Sequence, residues 1–384
     1  MAFVFNNVKQ FSQENNKLHD AMVEYARNYN EQRRGLKAFE ATSKERMESA
    51  INAGFINEVA KRSRYDLPTD MSDKTSVMRY CNNPTVQFFA NEIAAIMIDM
   101  ILPQTLMTSS ISYITEFEFK DLGDTAKFDL KNNQYYTVSK ADYRKRNTNM
   151  QKLYGRTVTL TGVNHMITIG QNLFDILIGF GSIADDVMKA TVSMERQMLF
   201  ESYDAFTTAM GNLSGNLAVT NYSSKSLMKL CQTVEAYNQG RKPVILGTAV
   251  ALNGVLPTNA NYRYLFDDSY VKNGYLQTLN GYDVVPLSQV ADPTNPTPYS
   301  LKLDDTKIYV ASPASDKIVK TAIFGGTFSS TNDAHDMANK NQFQTIEKSW
   351  ETAVITNSVA GIVTNLGWLI KNIFGRVEIP SRTY

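Results

Sequence analysis

From residue 111 to about residue 169 the chain carries a two-stranded pattern that leaves no room for a core of its own. Ile111, Tyr113, Phe117 and Phe119 fall on one face of a period-two stretch, with Ser112, Glu116, Glu118 and Lys120 mostly on the other. A turn-like Asp-Leu-Gly-Asp follows at Asp121 to Asp124, then short strands broken by Asn132-Asn133. A basic, polar stretch comes next, with Lys140, Arg144, Lys145 and Arg146. The return strand, from about Arg156 to Ile169, alternates again. Two strands alone are too narrow to bury a core, so this excursion must lie on something else.

The segments around it read as helices. Between Lys9 and Arg64 lie eleven basic and eight acidic side chains. Among them Phe11, Leu18, Met22, Tyr25, Tyr29, Leu36 and Phe39 recur at coiled-coil-like intervals. Asn15 and Gln32 weaken that seam and Gly35 interrupts it. Two readings follow: an amphipathic helix packed on its own body, or an arm that reaches a partner. A second helix starts at the Asn83 cap with Pro84 in its first turn, buries Phe88, Phe89, Ile93, Ile96, Met97 and Met100, and should end at Pro103. The strongest helix runs from about Ile183 to Met210. Ser182 caps it with Asp185 three residues later, and Gly211 stops it. A short helix from Asn172 to Ile178 precedes it. Beyond residue 225 helix and strand alternate. Turns are marked at Asn253-Gly254, Asn273-Gly274 and Asn280-Gly281, an exposed proline-rich loop runs from Asp292 to Pro298, and late strands are expected at Lys307 to Ala311, Ile318 to Phe324 and Phe343 to Ile355.

Composition narrows the function. With 39 Lys plus Arg against 38 Asp plus Glu, the chain has no bulk field to hold nucleic acid or an anionic membrane. The two cysteines, Cys81 and Cys231, exclude a disulfide framework and fit a reducing compartment. The N-terminus lacks the cationic lead and apolar length of a signal peptide. The apolar stretch Ile93 to Leu102 is short and interrupted by Asp99, so a soluble, cytoplasmically made protein without a membrane span is expected.

Enzyme and cofactor signatures are sparse. His19, His165 and His335 are the three histidines, none with a ligand at helical zinc spacing, and no cofactor or metal is expected. Gly179 to Ala184 (GFGSIA) fits the GxGxxG/A dinucleotide pattern, opens a helix and gives an alternative reading as an α/β enzyme using the Gly179–Gly181 loop. That fold would need a second parallel strand with an acid at its end, whereas Glu195 and Glu201 lie within the same helix. The glycines read better as a bend between two capped helices. Cys231, with no activating histidine nearby in sequence, reads as a buried thiol.

The order of elements is a charged helical arm, a long two-stranded excursion, one long helix, a mixed α/β insertion and a late strand set. It resembles the tailed-phage major capsid proteins of the Hong Kong 97 type. The wording is most suggestive in KIYVASPASDKIVKTAIFGG with FQTIEKSWETAVITNSVAGIV, and in GYLQTLNGYDVVPLSQV from Gly274 to Val290. The resemblance covers roughly residues 105–365. It implies an α+β fold with an N-terminal arm (1–66), a helical connection (67–110), an extended loop (111–170), a peripheral domain with a spine helix (171–224), an axial domain (225–320) and return strands with a tail (321–384).

It also implies a structural subunit, without catalytic residues, that self-assembles into hexamers and pentamers of an icosahedral shell around double-stranded DNA. Scaffolding, portal and decoration proteins are implied partners, and the virion, assembled in the host bacterial cytoplasm, the implied location. A nanocompartment shell of the encapsulin kind, resembling the same fold, is the nearer alternative. Some family members cross-link a loop lysine to a neighbour's asparagine. Lys127, Lys131 and Lys140 lie in the matching excursion and Asn357 near the C-terminal strands, but no local pattern selects a pair. The four cations Lys140, Arg144, Lys145 and Arg146 repel one another, so they should meet carboxylates. Asp185, Asp186 and Glu195 on a neighbour's spine helix are the expected partners.

Overall fold

The N-terminal seam closes on the chain's own body. In the computed structural model, which describes residues 16–364 apart from 37, 131–134, 139, 141–149, 171–172, 256–272, 292–299, 313–315, 333–342 and 357, helix α1 (Asn16–Arg33) lies against α2 (Ala41–Ser63). Leu18, Met22 and Tyr25 of the seam are buried, together with Ile51, Phe55 and Val59 of α2. Phe39 meets the Tyr25 ring edge-on at 5.6 Å, whereas Leu36, beside the Gly35 break, is exposed. Of the two readings of this segment, the one in which it packs on its own body describes residues 16–63; Phe11 and Asn15 lie outside the described residues.

Helix α4 (Pro84–Thr108) begins as the sequence indicates, the Asn83 side chain accepting from the Thr85 amide at 2.9 Å. It then runs past Pro103. Proline lacks the N–H that would bond the Asp99 carbonyl, but Ile101, Leu102, Thr105 and Leu106 around it are buried, and that packing carries the helix onward. The expected stop at Pro103 is corrected. The helix is long and apolar enough to cross a membrane by length and composition, yet 13 of its 25 residues are buried within the body. A shorter helix, α3 (Lys74–Cys81), capped by Asp73, leads into it.

A four-stranded sheet forms from two stretches far apart in the chain. Its order is β1 (Thr115–Lys120), β10 (Val319–Asn332), β11 (Phe343–Val354) and β4 (Val163–Gly170), with β1 parallel to β10 and the other pairs antiparallel. Helices α4 and α6 (Ile183–Gly211) pack on one face, burying Ile323, Ile346 and Trp350. The hairpin of β2 (Ala126–Leu130) and β3 (Arg156–Leu160) joins the other face, with Phe128 and Leu130 against Ala322, Phe324 and Ile355.

The return strand expected as one piece is therefore two. It breaks at Thr161-Gly162, where β3 leaves the hairpin and β4 enters the sheet. Gly162 crosses so close to the sheet that a Cβ there would lie 2.7 Å from the Phe324 ring and 3.2 Å from the Ser349 Cβ. At the chain's other end of the pattern, Ser110–Tyr113 is a 3-10 turn, so the first strand starts four residues later than residue 111.

A six-stranded sheet forms the second body. Its order is β5 (Ala218–Val219), β12 (Gly361–Val363), β9 (Ile308–Ala311), β6 (Val244–Gly247), β8 (Tyr282–Pro286) and β7 (Thr278–Leu279). Helix α7 (Ser224–Tyr237) covers it with Leu227, Leu230 and Val234, and α8 (Ala249–Asn253) follows β6. Asn280 and Gly281, at φ 52° and 84°, make the left-handed turn their sequence signals, joining β7 to β8. Asn253-Gly254 differs: Gly254, at φ −67°, ends α8 without a left-handed residue. The expected loop from Asp292 to Pro298 falls outside the described residues.

Candidate assembly surface

Beyond β2 and β3 the described residues of the excursion bear exposed apolar side chains. There the two branches stay linked through Gln151, whose side chain accepts from the Thr137 amide at 2.8 Å and donates to the Thr137 carbonyl at 2.7 Å. Around this link Tyr135 is 64% exposed, Tyr136 60%, Val138 96% and Met150 81%. Large apolar groups concentrated at one tip are the mark of a surface that another molecule covers. Lys140 is exposed at the same tip. Arg144, Lys145, Arg146, Lys131 and Asn357 lie outside the described residues, and Lys127 is exposed on β2.

The spine-helix carboxylates are engaged within the chain. Ser182 caps α6, its hydroxyl accepting from the Asp185 amide at 3.3 Å. Asp185 pairs with Lys189 one turn on at 2.6 Å and sits 3.7 Å from Lys44 of α2. Glu195 is buried and bound by Arg33 of α1 at 2.6 Å. Burial pushes the Glu195 carboxyl up, and the Arg33 guanidinium opposes that shift. Asp186, next to Asp185 in the first turn of α6, is half-buried. The N-terminal helices thus supply the cations that neutralise the first half of α6. Asn52 of α2 completes the clamp, donating to the Gly181 carbonyl at 2.9 Å and accepting from the Ile183 amide at 3.1 Å.

The glycine loop is a bend. Helix α5 (Leu173–Ile178) ends at Gly179, φ 86°, with the Phe180 and Gly181 amides both returning to the Asp175 carbonyl. A helix, where the dinucleotide pattern requires a strand, precedes the glycines, so that pattern lacks its phosphate-binding geometry here. Cys81 and Cys231 are both buried, and burial pushes each thiol up to about 12, leaving little thiolate for chemistry. Among the described residues no three metal-ligating side chains gather.

Two buried lysines went unread in the sequence. Lys348 on β11 donates to Asp99 of α4 at 2.6 Å and to the Gly325 carbonyl at 2.8 Å, while Asp99 also accepts from the Thr327 amide and hydroxyl at 2.7 and 2.6 Å. Lys320 on β10 bonds Glu116 and Asp316. Both stand in alternating stretches, where a charged residue normally signals the wet face. The polar residue inside the α4 core run, Asp99, was the available signal for the first of them. His165, a lone strand histidine in the sequence, is half-buried: it packs on Trp350 and faces Glu201 of α6.

No family model and no curated protein matches the chain. Solved structures do. The capsid of a native GTA particle superposes with a TM-score of 0.46 at 12% identity, over 67% of this chain and 89% of that one. The satellite phage P4 procapsid, which includes a size-determination protein, gives 0.44 at 7% identity, over 70% and 90%. The mature capsid of bacteriophage PhiM1 gives 0.43 at 11% identity, over 67% and 87%.

Proposed function

We propose that this chain is a tailed-phage major capsid protein of the Hong Kong 97 type, a structural subunit building hexamers and pentamers of an icosahedral shell around double-stranded DNA. The excursion carries the reading. Its root is fixed on the body's sheet, while its tip holds Tyr135, Tyr136, Val138 and Met150 in the open, the arrangement of a part finished by a neighbour. The rest of the chain supports it. The α1–α6 helices and the four-stranded sheet serve as the peripheral domain, and the six-stranded sheet with α7 and α8 as the axial domain. A formal net charge of +1 suits a wall that contains DNA without gripping it. Scaffolding, portal and decoration proteins are the partners such a subunit meets, in the cytoplasm of a host bacterium.

Electron microscopy of the purified full-length protein tests this directly. Closed shells, filled with DNA when made during infection, are expected. Shells filled with protein cargo would indicate a nanocompartment, and a homogeneous monomer at high concentration would overturn the reading.

Within the shell we propose that the basic tip, Lys140 with Arg144, Lys145 and Arg146, meets carboxylates of an adjacent subunit. Asp185 and Asp186, half-buried near the N-terminus of α6, are partly accessible, although Asp185 is already shared with Lys189 and Lys44, whereas Glu195 is buried and held by Arg33. An exposed ion pair is worth only about 0–1 kcal/mol, but the contact recurs in every subunit. Changing Arg144, Lys145 and Arg146 together to Ser should leave the fold intact and make assembly slower and more salt-sensitive. Shell formation at the normal rate and salt tolerance would show that the tip is merely solvated.

A further inference from the structure

The donor count at His165 does not balance for a neutral ring. Its Nδ1 lies 3.0 Å from the Val163 carbonyl oxygen and its Nε2 lies 3.1 Å from Glu201 Oε1. The carbonyl can only accept. The Glu201 carboxylate already accepts from Gln197 Nε2 at 2.9 Å and from Trp350 Nε1 at 2.7 Å. A neutral imidazole has one N–H, so one of its two contacts would set a lone pair against an oxygen. Turning the ring over would put carbon against both acceptors. Only a ring and carboxylate that share one additional proton satisfy every atom, and the count is the same whichever of the two holds it.

The surroundings favour a cation there. The imidazole lies flat on the Trp350 indole, centroids 3.6 Å apart and planes 5° apart, where the ring quadrupole attracts positive charge. Lys348, opposite His165 in the β4–β11 register, turns its ammonium away to Asp99 of α4 and the Gly325 carbonyl. From α6 the facing groups are Glu201 and the neutral Gln197. Burial alone would raise the Glu201 carboxyl, but hydrogen bonds from His165, Gln197 and Trp350 hold it below its ordinary value. Side-chain exposures of 25% for His165 and 27% for Glu201 leave solvent a path to the proton.

We infer that His165 and Glu201 form a proton-operated clasp between edge strand β4 and the spine helix α6, closed when the proton is bound and released when it is lost. β4 is the direct continuation of β3 through Thr161-Gly162, so the clasp sets how firmly the root of the excursion is tied to α6. This holds whether or not the chain builds shells.

The test uses the full chain with Trp368→Phe, so that Trp350 is the remaining indole. Its emission is followed from pH 5 to pH 9, with amide exchange of residues 163–170 measured at each end and corrected for the intrinsic rate. Deprotonation should remove imidazolium quenching and give a single rise in emission, with exchange across β4 roughly tenfold faster above the step. His165→Phe keeps the stack and should lose the step. His165→Arg keeps a cation at every pH and should hold β4 protected throughout. A folded parent chain with no step, a step that survives in His165→Phe, or exchange in His165→Arg that still changes with pH would each overturn the clasp.

Discussion

Changing Tyr135, Tyr136, Val138 and Met150 to Ser should abolish shell assembly while shifting the subunit's thermal midpoint by no more than about 2 °C. The small shift follows from their exposure: substitutions at open sites stay within about 0.5 kcal/mol of the parent. The large effect follows from what assembly would do to them. Each large apolar side chain that passes from water into a contact contributes about 1.5–3 kcal/mol, and four are removed from every subunit. Sedimentation of the variant and its parent at equal concentration reads the difference. Normal shells from the quadruple variant would show that the tip's apolar groups take no part in subunit contact.

Asp99→Ala should cost the fold about 3–5 kcal/mol, the largest single-site effect expected here. The substitution leaves the buried Lys348 with the Gly325 carbonyl but no counter-charge, and also removes the acceptor of the Thr327 amide and hydroxyl. Removing both charges should be milder, because two apolar side chains need no partner. Denaturant unfolding of Asp99→Ala, Lys348→Met and the Asp99→Leu/Lys348→Met pair decides it. If the double variant is as unstable as Asp99→Ala, stranded charge is not the source of the loss.

The elements legible in the sequence were those whose signals are local. The Ser182 cap and Gly211 bounded α6 to within a residue, and Asn280-Gly281 marked the β7–β8 turn. The split of the return strand was hidden because Thr161-Gly162 resembles any strand residue pair until the Phe324 ring is placed against it. Pro103 misled for the opposite reason: a local rule that ends helices was overridden by burial on both sides of it. The N-terminal seam showed correctly that Leu18, Met22 and Tyr25 seek a helix, but a seam carries no address, and α2 with α4 and α6 provides the partner. The charged groups at buried sites were least visible. Lys348 shares the buried face of Ile346 and Trp350, and Lys320 that of Ala322 and Phe324; only Asp99 and Glu116, arriving from far along the chain, and the nearby Asp316 make their positions tolerable.

That distance has a kinetic consequence. Thr115 pairs with Val319 and Gly170 with Phe343, while Asp99 and Lys348 are 249 positions apart. The sheet beneath the helices therefore takes its two inner strands from a part of the chain synthesised long after its two outer strands. Pairings of such sequence separation are slow to form, and apolar faces that wait for them are open to wrong partners. During synthesis α4 and α6 have no sheet to sit on until β10 and β11 emerge, and the root of the excursion has no surface to rest against. The excursion is seated on the body only once β10 and β11 have been made, so translation itself sets when its root becomes fixed.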